Sequence, residues 1–287
     1  ITIIASVCSC MLQPAWSMDL VKDGQPVAVV VTVDGQMGKG IGSTKAGSYT
    51  DGEAAKVLID WIEKITTVRL PLATAAAPGQ PVIFVGQAAV AQGLKLDDIT
   101  SPSQEGLRVV VKGNTALIGG QDGQSTVRAA CRFLEQLGCR YFMDVSRYAG
   151  DAHLGEVYPR SPSLSVVDFA HSEQPGMLYR SIWGSSFYFP SLWRTWNGDG
   201  GLPMSMSHSW ASYVSKAEYG ETHPEYFTLR DGQRNIGVEW LCTSNPAVRE
   251  IFVQKLLAQA KDNPRGSFSL SPPDNRQYCQ CAACLDL

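Results

Sequence analysis

Hydrophobic positions in the first half of the chain alternate between short apolar runs and helical spacing. Apolar runs of strand length lie at 27–33, 82–85, 107–111, 116–118 and 139–143. Apolar residues recur every three or four positions over 51–66 and 125–137, which predicts two amphipathic helices. Gly113-Asn114 joins two of the runs and indicates a hairpin. This alternation predicts one α/β domain over residues 18–143.

The second half shows a similar alternation after a region of mixed polarity. Residues 144–177 contain several glycines and prolines and are predicted to form a linker, with one further strand at 165–169. The predicted elements beyond the linker are, in order, a strand at 178–183, a hairpin around Asp231-Gly232, a helix beginning at Asn245-Pro246, and a strand at 268–270. This order favours parallel βα units, so residues 178–287 are predicted to be a second α/β domain.

The N-terminus has the pattern of an export signal. Residues 1–11 are apolar and rich in small residues, and Ala15-Trp16-Ser17 resembles a small-x-small cleavage site. Residues 1–17 are therefore predicted to be a signal remnant, with a buried first strand as the alternative. Export predicts a secreted or periplasmic protein in an oxidising compartment. Cys10 lies in a poor lipobox, which gives only weak support for a lipid anchor.

Charge and composition exclude several classes of partner. The 287 residues carry a net charge of −3, and the basic residues are scattered singly, so no basic stripe indicates nucleic-acid binding. No apolar run reaches the roughly 18 residues that a membrane-spanning helix needs. The glycine-rich loops at 38–48 and 119–123 lack the spacing of nucleotide-binding motifs, and a tight strand-to-helix turn explains the second of them equally well.

Residues 267–284 hold the most concentrated candidate chemistry. The strand at 268–270 ends at two prolines, after which Asp274 and Asn275 follow on an irregular segment. Polar residues at the C-terminal end of a strand are where α/β barrels place their active sites. Asp274 is therefore the candidate catalytic residue and Asn275 a candidate substrate ligand. The alternative for both is to cap the turn that follows.

Three more residues are candidate substrate ligands. Arg180, near the end of the strand at 178–183, could clamp a sugar hydroxyl or carboxylate, or form a structural salt bridge. His208 stands among serines on a predicted loop, where it could donate to a substrate hydroxyl. Trp183 belongs to a group of aromatic residues with Tyr188, Trp193 and Trp196, which either stack on sugar rings or fill a core. We expect Arg180, His208 and Asp274 to converge on one mouth of the second domain.

The cysteines near the C-terminus form a separate motif. Cys279-x-Cys281-x-x-Cys284, with Cys242 as a fourth member, has the ligand number of a structural zinc site. The same four residues could form two disulfides, which export favours. A redox role has no thioredoxin-like context to support it. No cofactor is predicted, and a structural zinc ion is one of the two alternatives for these cysteines.

Motifs in both halves resemble known families. In the second half they are HPEYF at 223–227, LCxxNP at 241–246, SxSPxDN at 269–275 and CxCxxC at 279–284. These resemble the DUF4838 family of secreted bacterial proteins, which is grouped with glycoside-hydrolase TIM barrels. LIGGQDG at 117–123 and FLEQLGCRYF at 133–142 resemble the α/β domain that precedes the barrel in α-glucuronidases and β-hexosaminidases. Pro273 departs from the small polar residue expected before the aspartate.

The resemblance implies a glycoside hydrolase of an exported glycan-degrading system, with an oligosaccharide or polysaccharide as its substrate. It implies that residues 178–287 are the first part of a (β/α)8 barrel, since a complete one needs about 250 residues. Hydrolysis normally needs two carboxyl groups, and the second is expected beyond Leu287. The main alternative is a non-catalytic glycan-binding surface protein. A zinc-dependent hydrolase ranks last, because no histidine spacing typical of catalytic zinc is present.

Overall fold

The computed structural model describes residues 17–39, 49–142, 155–181, 191–202, 205–264 and 266–286. The chain divides into two compact units, Ile1–Gly201 and Leu202–Leu287. Helices and strands are mixed throughout, which confirms the predicted α/β class. No described helix combines the length and apolar character needed to cross a lipid bilayer.

The first unit combines short strands with four helices among its described residues. The strands are β1 (Ser17–Lys22), β2 (Gln25–Pro26), β3 (Val29–Val31), β4 (Leu72–Ala73), β5 (Val82–Val85), β6 (Leu107–Lys112), β7 (Thr115–Gly120), β8 (Arg140–Tyr141), β9 (Glu156–Val157), β10 (Leu164–Val167), β11 (Phe169–Glu173), β12 (Tyr179–Arg180) and β13 (Gly200–Gly201). The helices are α1 (Asp51–Thr66), α2 (Gln87–Ala91), α3 (Gly123–Gln136) and α4 (Ser191–Trp196).

A six-stranded sheet in the order β11-β6-β7-β5-β3-β4 organises this unit. Its β4, β3, β5 and β7 are parallel, whereas β6 and β11 are antiparallel to their neighbours. The predicted hairpin is the β6–β7 pair, in which Lys112 lies opposite Thr115. Gly113 supplies the left-handed backbone, at φ 56°, that this tight turn requires.

Helices α1 and α3 supply most of the apolar side chains that cover the sheet. Leu58 and Ile62 of α1 and Phe133 and Leu134 of α3 are fully buried. Each such side chain contributes roughly 1.5–3 kcal/mol when it leaves water. A reciprocal capping box between Thr50 and Glu53 satisfies amide groups at the start of α1. The helical spacing in the sequence therefore predicted the core of this unit correctly.

Residues 155–177, which were predicted to belong to a linker, contain strands of the first unit. Strands β9, β10 and β11 lie within residues 155–177 and belong to sheets of the first unit: β10 pairs with β1, and β11 forms an edge of the six-stranded sheet. Side chains along β11 alternate between half-buried and exposed, as on an edge strand with one wet face. Because such a strand lacks a continuous apolar run, its sequence looks like that of a linker.

The second unit is mainly helical and irregular. Its helices are α5 (Trp210–Tyr213), α6 (Lys216–Tyr219), α7 (Pro246–Asp262) and α8 (Ala282–Leu285), with 3-10 turns at Pro224–Tyr226 and Ile236–Val238. Strands β14 (Leu229–Arg230) and β15 (Gln233–Arg234) form the predicted hairpin around Asp231-Gly232. The Asn245 side chain caps α7 by accepting from the Ala247 amide, and Pro246 occupies the first turn as predicted.

The core of the second unit lies under α7 and the segment after Pro224. Its buried apolar residues are Tyr213, Val214, Tyr226, Phe227, Leu241, Val248 and Phe252. Residues 202–286, where described, contain no closed barrel of strands. The predicted first barrel strand at 178–183 is represented by β12, a two-residue strand that pairs antiparallel with β13 within the first unit.

Candidate functional site

Two serine-rich segments of the second unit lie side by side in parallel. His208 and Ser271 form a parallel β-bridge. The Ser209 amide donates to the Ser271 carbonyl at 3.0 Å, and the Ser271 amide donates to the Ser209 hydroxyl at 3.1 Å. The Ser209 hydroxyl in turn donates to the Ser269 carbonyl at 2.8 Å. Serine hydroxyls thus supplement the backbone ladder and hold residues 205–209 in register with residues 267–271.

This pairing brings His208 and Asp274 together. Nδ1 of His208 lies 2.7 Å from the Pro272 carbonyl oxygen, and Nε2 lies 3.8 Å from Oδ2 of Asp274. Because a carbonyl can only accept, Nδ1 must carry a proton, and Nε2 therefore offers a lone pair in the neutral ring or a second N–H in the imidazolium. The side chains are 57% and 95% exposed, respectively. The pair can exchange a proton with a ligand that covers it.

Asn275 adopts the capping role that was the alternative for this dipeptide. Its side-chain oxygen accepts from the Gln277 amide at 3.2 Å, and its own amide donates to the Pro273 carbonyl at 2.9 Å. The two neighbouring residues are thus used differently: Asn275 shapes the turn, whereas the Asp274 carboxylate faces His208. The prediction that Asn275 also binds substrate stays a prediction.

A row of three aromatic rings, two of them close in sequence to His208 and Asp274, was not predicted from the sequence. The Trp210 and Trp240 rings lie 5.3 Å apart edge to face, and Trp240 meets Tyr278 in the same manner at 4.8 Å. Trp240 is buried, whereas Tyr278 is 59% exposed. Trp210 follows His208 by two residues and Tyr278 follows Asp274 by four, and this closeness in sequence was the available signal. An exposed ring beside polar groups can stack on the apolar face of a sugar.

Arg180 lies in the first unit and is held there by several partners. Its guanidinium forms an ion pair with Glu105 and donates to the carbonyls of Gly198 at 3.2 Å and Met177 at 2.9 Å. It also lines a cleft of about 640 Å³, together with Arg128 and other residues of this unit, a volume in the range of ligand sites. The ion pair is the structural alternative given above, and a substrate contact stays a prediction.

Two of the four aromatic candidates can be assessed in the structure, and two cannot. Trp183 and Tyr188 lie outside the described residues. Trp193 and Trp196 are buried in the core, where Trp196 packs on Trp61 with ring centroids 4.6 Å apart. These two side chains therefore have the core role that was the alternative to sugar stacking. The predicted convergence of Arg180 with His208 and Asp274 stays a prediction, whereas the contact between the latter two is present.

The four predicted cysteines converge in the second unit. Sγ of Cys242 lies 3.6 Å from Sγ of Cys281 and 3.8 Å from Sγ of Cys284, and all four sulfurs, with Cys279, lie within 4.8 Å of one another. The hydrogen bond with the Ser244 hydroxyl lowers the pKa of the Cys281 thiol to about 6. Burial raises the pKa of Cys279 to about 11. These four cysteines could hold a metal ion through their sulfur atoms.

A family model matches the part of the chain that carries these features. Residues 152–287 match the family model described as a domain of unknown function, DUF4838. The match includes every candidate site residue named from the sequence and all four clustered cysteines. No curated protein matches the chain.

Proposed function

Because residues 152–287 of this chain are a DUF4838 domain, we propose that the protein binds a glycan and hydrolyses a glycosidic bond at the site formed by His208 and Asp274. The contact between these two side chains, 3.8 Å apart and 66 positions apart in sequence, carries the proposal. An exposed carboxylate, an imidazole and an exposed tyrosine ring on adjacent segments supply the polar and aromatic groups that sugars require.

The parallel contact between residues 205–209 and 267–271 supports a barrel-type placement of this site. In α/β barrels the functional side chains follow the C-terminal ends of parallel strands. His208 lies near the end of the first segment, and Asp274 lies three residues beyond the second. Helix α7 precedes the second segment, as a crossover helix does in a βα unit. We propose that these segments are neighbouring strands of a (β/α)8 barrel.

The chemistry would follow the general scheme for glycoside hydrolysis. One carboxylic acid protonates the leaving glycosidic oxygen, while a second group attacks the sugar or activates water from the opposite face. Asp274 supplies one carboxyl group, and His208 is positioned to exchange a proton with it or with a sugar hydroxyl. The second group can be another carboxylate or an acetamido group of the substrate.

A second candidate function is glycan binding without cleavage. The 95% exposure of the Asp274 side chain favours this alternative, because an open, hydrated carboxylate lacks the preorganised environment that stabilises a transition state. Binding needs only Tyr278, Asp274 and His208 as contacts. Either function fits an exported glycan-degrading system, which the signal-like residues 1–17 support. Residues 1–16 lie outside the described residues.

Replacement of Asp274 by asparagine tests the two functions. If Asp274 acts as acid, base or nucleophile, Asp274→Asn lowers turnover of aryl glycosides by roughly 10²- to 10⁴-fold. Asp231→Asn changes an exposed aspartate at the tip of the β14–β15 hairpin and serves as the matched control.

Turnover should be measured on a panel of aryl glycosides, and binding on glycan arrays. Unchanged turnover in Asp274→Asn would remove Asp274 from the mechanism. Glycan binding by the unmodified protein without turnover of any substrate, lost in Asp274→Asn, would establish the binding function instead.

A further inference from the structure

We propose that Cys242, Cys279, Cys281 and Cys284 bind one zinc ion as a structural site, and that this ion fixes the segment carrying Asp274. This inference concerns a different cluster from the His208–Asp274 pair and does not depend on glycan hydrolysis.

The distances between the sulfurs match a shared ion. Four thiolates at about 2.3 Å from a tetrahedral zinc ion lie about 3.8 Å from one another. Cys242 has two sulfur neighbours at nearly this separation, Cys281 at 3.6 Å and Cys284 at 3.8 Å. A disulfide would instead give each sulfur a single partner at about 2.05 Å. None of the four cysteines is joined to another in a disulfide.

Two segments of the second unit, one at Cys242 and one at 279–284, deliver the four sulfurs. Cys242 precedes the cap of α7, and its amide donates to the Tyr226 carbonyl at 2.8 Å. Cys279 lies beside the β14–β15 hairpin. Cys281 and Cys284 flank a tight turn, in which the Cys284 amide donates to the Cys281 carbonyl at 2.9 Å. Segments distant in sequence thus meet at the sulfurs, as in structural zinc sites.

The groups around the sulfurs suit bound thiolates. The Leu229 amide donates to Sγ of Cys279 at 3.3 Å, and Nη1 of Arg234 lies 4.0 Å from the same sulfur. The Ser244 hydroxyl lies 3.3 Å from Sγ of Cys242 and 3.0 Å from Sγ of Cys284. The Leu229 amide and Arg234, together with the Ser244 hydroxyl acting as donor to one thiolate, would offset the negative charge that four thiolates place around a divalent ion, which is the usual function of an outer shell.

The ligand set assigns a structural rather than a catalytic role. Four cysteines complete the tetrahedral coordination of zinc and leave no position for water or substrate. Bound zinc would instead tie Cys279–Cys284 to Cys242 and to the start of α7. Asp274 lies five residues before Cys279, so the ion limits the conformations of the segment that presents this carboxylate to His208.

Metal analysis of the full 287-residue chain tests the site. We expect one zinc per chain by elemental analysis after purification without added chelator. Replacement of zinc by Co²⁺ should produce the intense visible absorption of tetrahedral cobalt thiolate. Cys242→Ser should abolish both signals, whereas Cys139→Ala, a change at a buried cysteine of the first unit, should leave them unchanged. The cobalt experiment uses the unmodified chain and therefore remains informative if Cys242→Ser fails to fold.

Two results would overturn the zinc site. One is a metal-free protein whose intact mass shows the hydrogen loss of two disulfides; the other is a metal-free protein with four titratable thiols in the cluster.

The effect on the Asp274 segment is tested by hydrogen exchange. Removal of zinc with a chelator should accelerate amide exchange over residues 274–284 and leave the β6–β7 hairpin unchanged. Unchanged exchange over 274–284 would refute the positioning role.

Discussion

Arg180 and Glu105 show how a single charged pair is stabilised inside the first unit. Their side chains are only 12% and 5% exposed. Glu105 also accepts from the Gly201 amide at 2.9 Å and from the Ser103 hydroxyl at 2.7 Å. Burial alone would raise the pKa of this carboxyl, but these hydrogen bonds and Arg180 outweigh burial and hold the pKa below its usual value. Removal of Arg180 would leave the buried Glu105 carboxylate without its ion-pair partner.

Arg180→Ala is therefore expected to lower the free energy of unfolding by about 3 kcal/mol or more, as is typical when one partner of a buried ion pair is removed. Arg69→Ala is the control, because Arg69 pairs with Asp60 and Glu63 while its side chain remains 46% exposed; its expected cost is below about 1 kcal/mol. Urea denaturation measures both. Unchanged stability in Arg180→Ala together with weaker glycan binding would instead support the predicted substrate contact.

The turn from β7 into α3 shows how glycines and a cap define an element boundary. A Cβ on Gly123 would lie 1.8 Å from the Tyr49 carbonyl oxygen, and one on Gly120 would lie 2.3 Å from the Ser125 hydroxyl. Asp122 caps the helix by accepting from the Ser125 amide at 2.7 Å. Close packing of the backbone therefore accounts for the glycines at 119–123, which supports the strand-to-helix explanation over phosphate binding.

Gly123→Ala is expected to destabilise the protein by at least about 1–3 kcal/mol, because the added methyl group must displace backbone rather than a flexible side chain. Gly176→Ala is the matched control, since a Cβ there meets no atom within 4 Å; its effect should stay within about 0.5 kcal/mol. Thermal unfolding of the two variants provides the comparison. Equal melting temperatures would contradict the packing explanation.

At the scale of the whole molecule, buried and half-buried carboxyls of the first unit link stability to pH. Burial would raise the pKa of Glu53, Glu105 and Glu173, but hydrogen bonds outweigh burial and lower all three from the ordinary value of 4.5. For Glu53 the main donor is Thr50, and for Glu173 it is Arg132. Asp51, whose pKa burial raises, opposes this trend.

A carboxyl with a lowered folded pKa contributes stability that is fully present above its unfolded pKa and is lost as the pH falls through its folded pKa. The free energy of unfolding should therefore decrease as the pH falls from about 5 through the folded values below 4.5. Urea denaturation over a pH series measures the slope. Glu105→Gln should reduce the dependence of the free energy of unfolding on pH, because one titrating group is removed. A free energy of unfolding that increases as the pH falls over this interval would contradict the assignment.

The amino-acid sequence by itself determined the elements that depend on local spacing. Helices α1 and α3 follow from apolar residues at helical intervals, and Asn245-Pro246 marked the start of α7 because capping and proline geometry act within a few residues. The β6–β7 hairpin follows from two apolar runs joined at Gly113-Asn114. The residue types of the cysteine cluster were also apparent from the sequence.

Only the tertiary structure decided which distant residues meet. It placed Asp274 beside His208, joined Cys242 to Cys281 and Cys284, and paired Arg180 with Glu105. It also showed that much of the predicted linker forms edge strands of the first unit. Contacts of this kind depend on how the chain folds back on itself, and periodicity along the chain carries no information about partners tens of residues away.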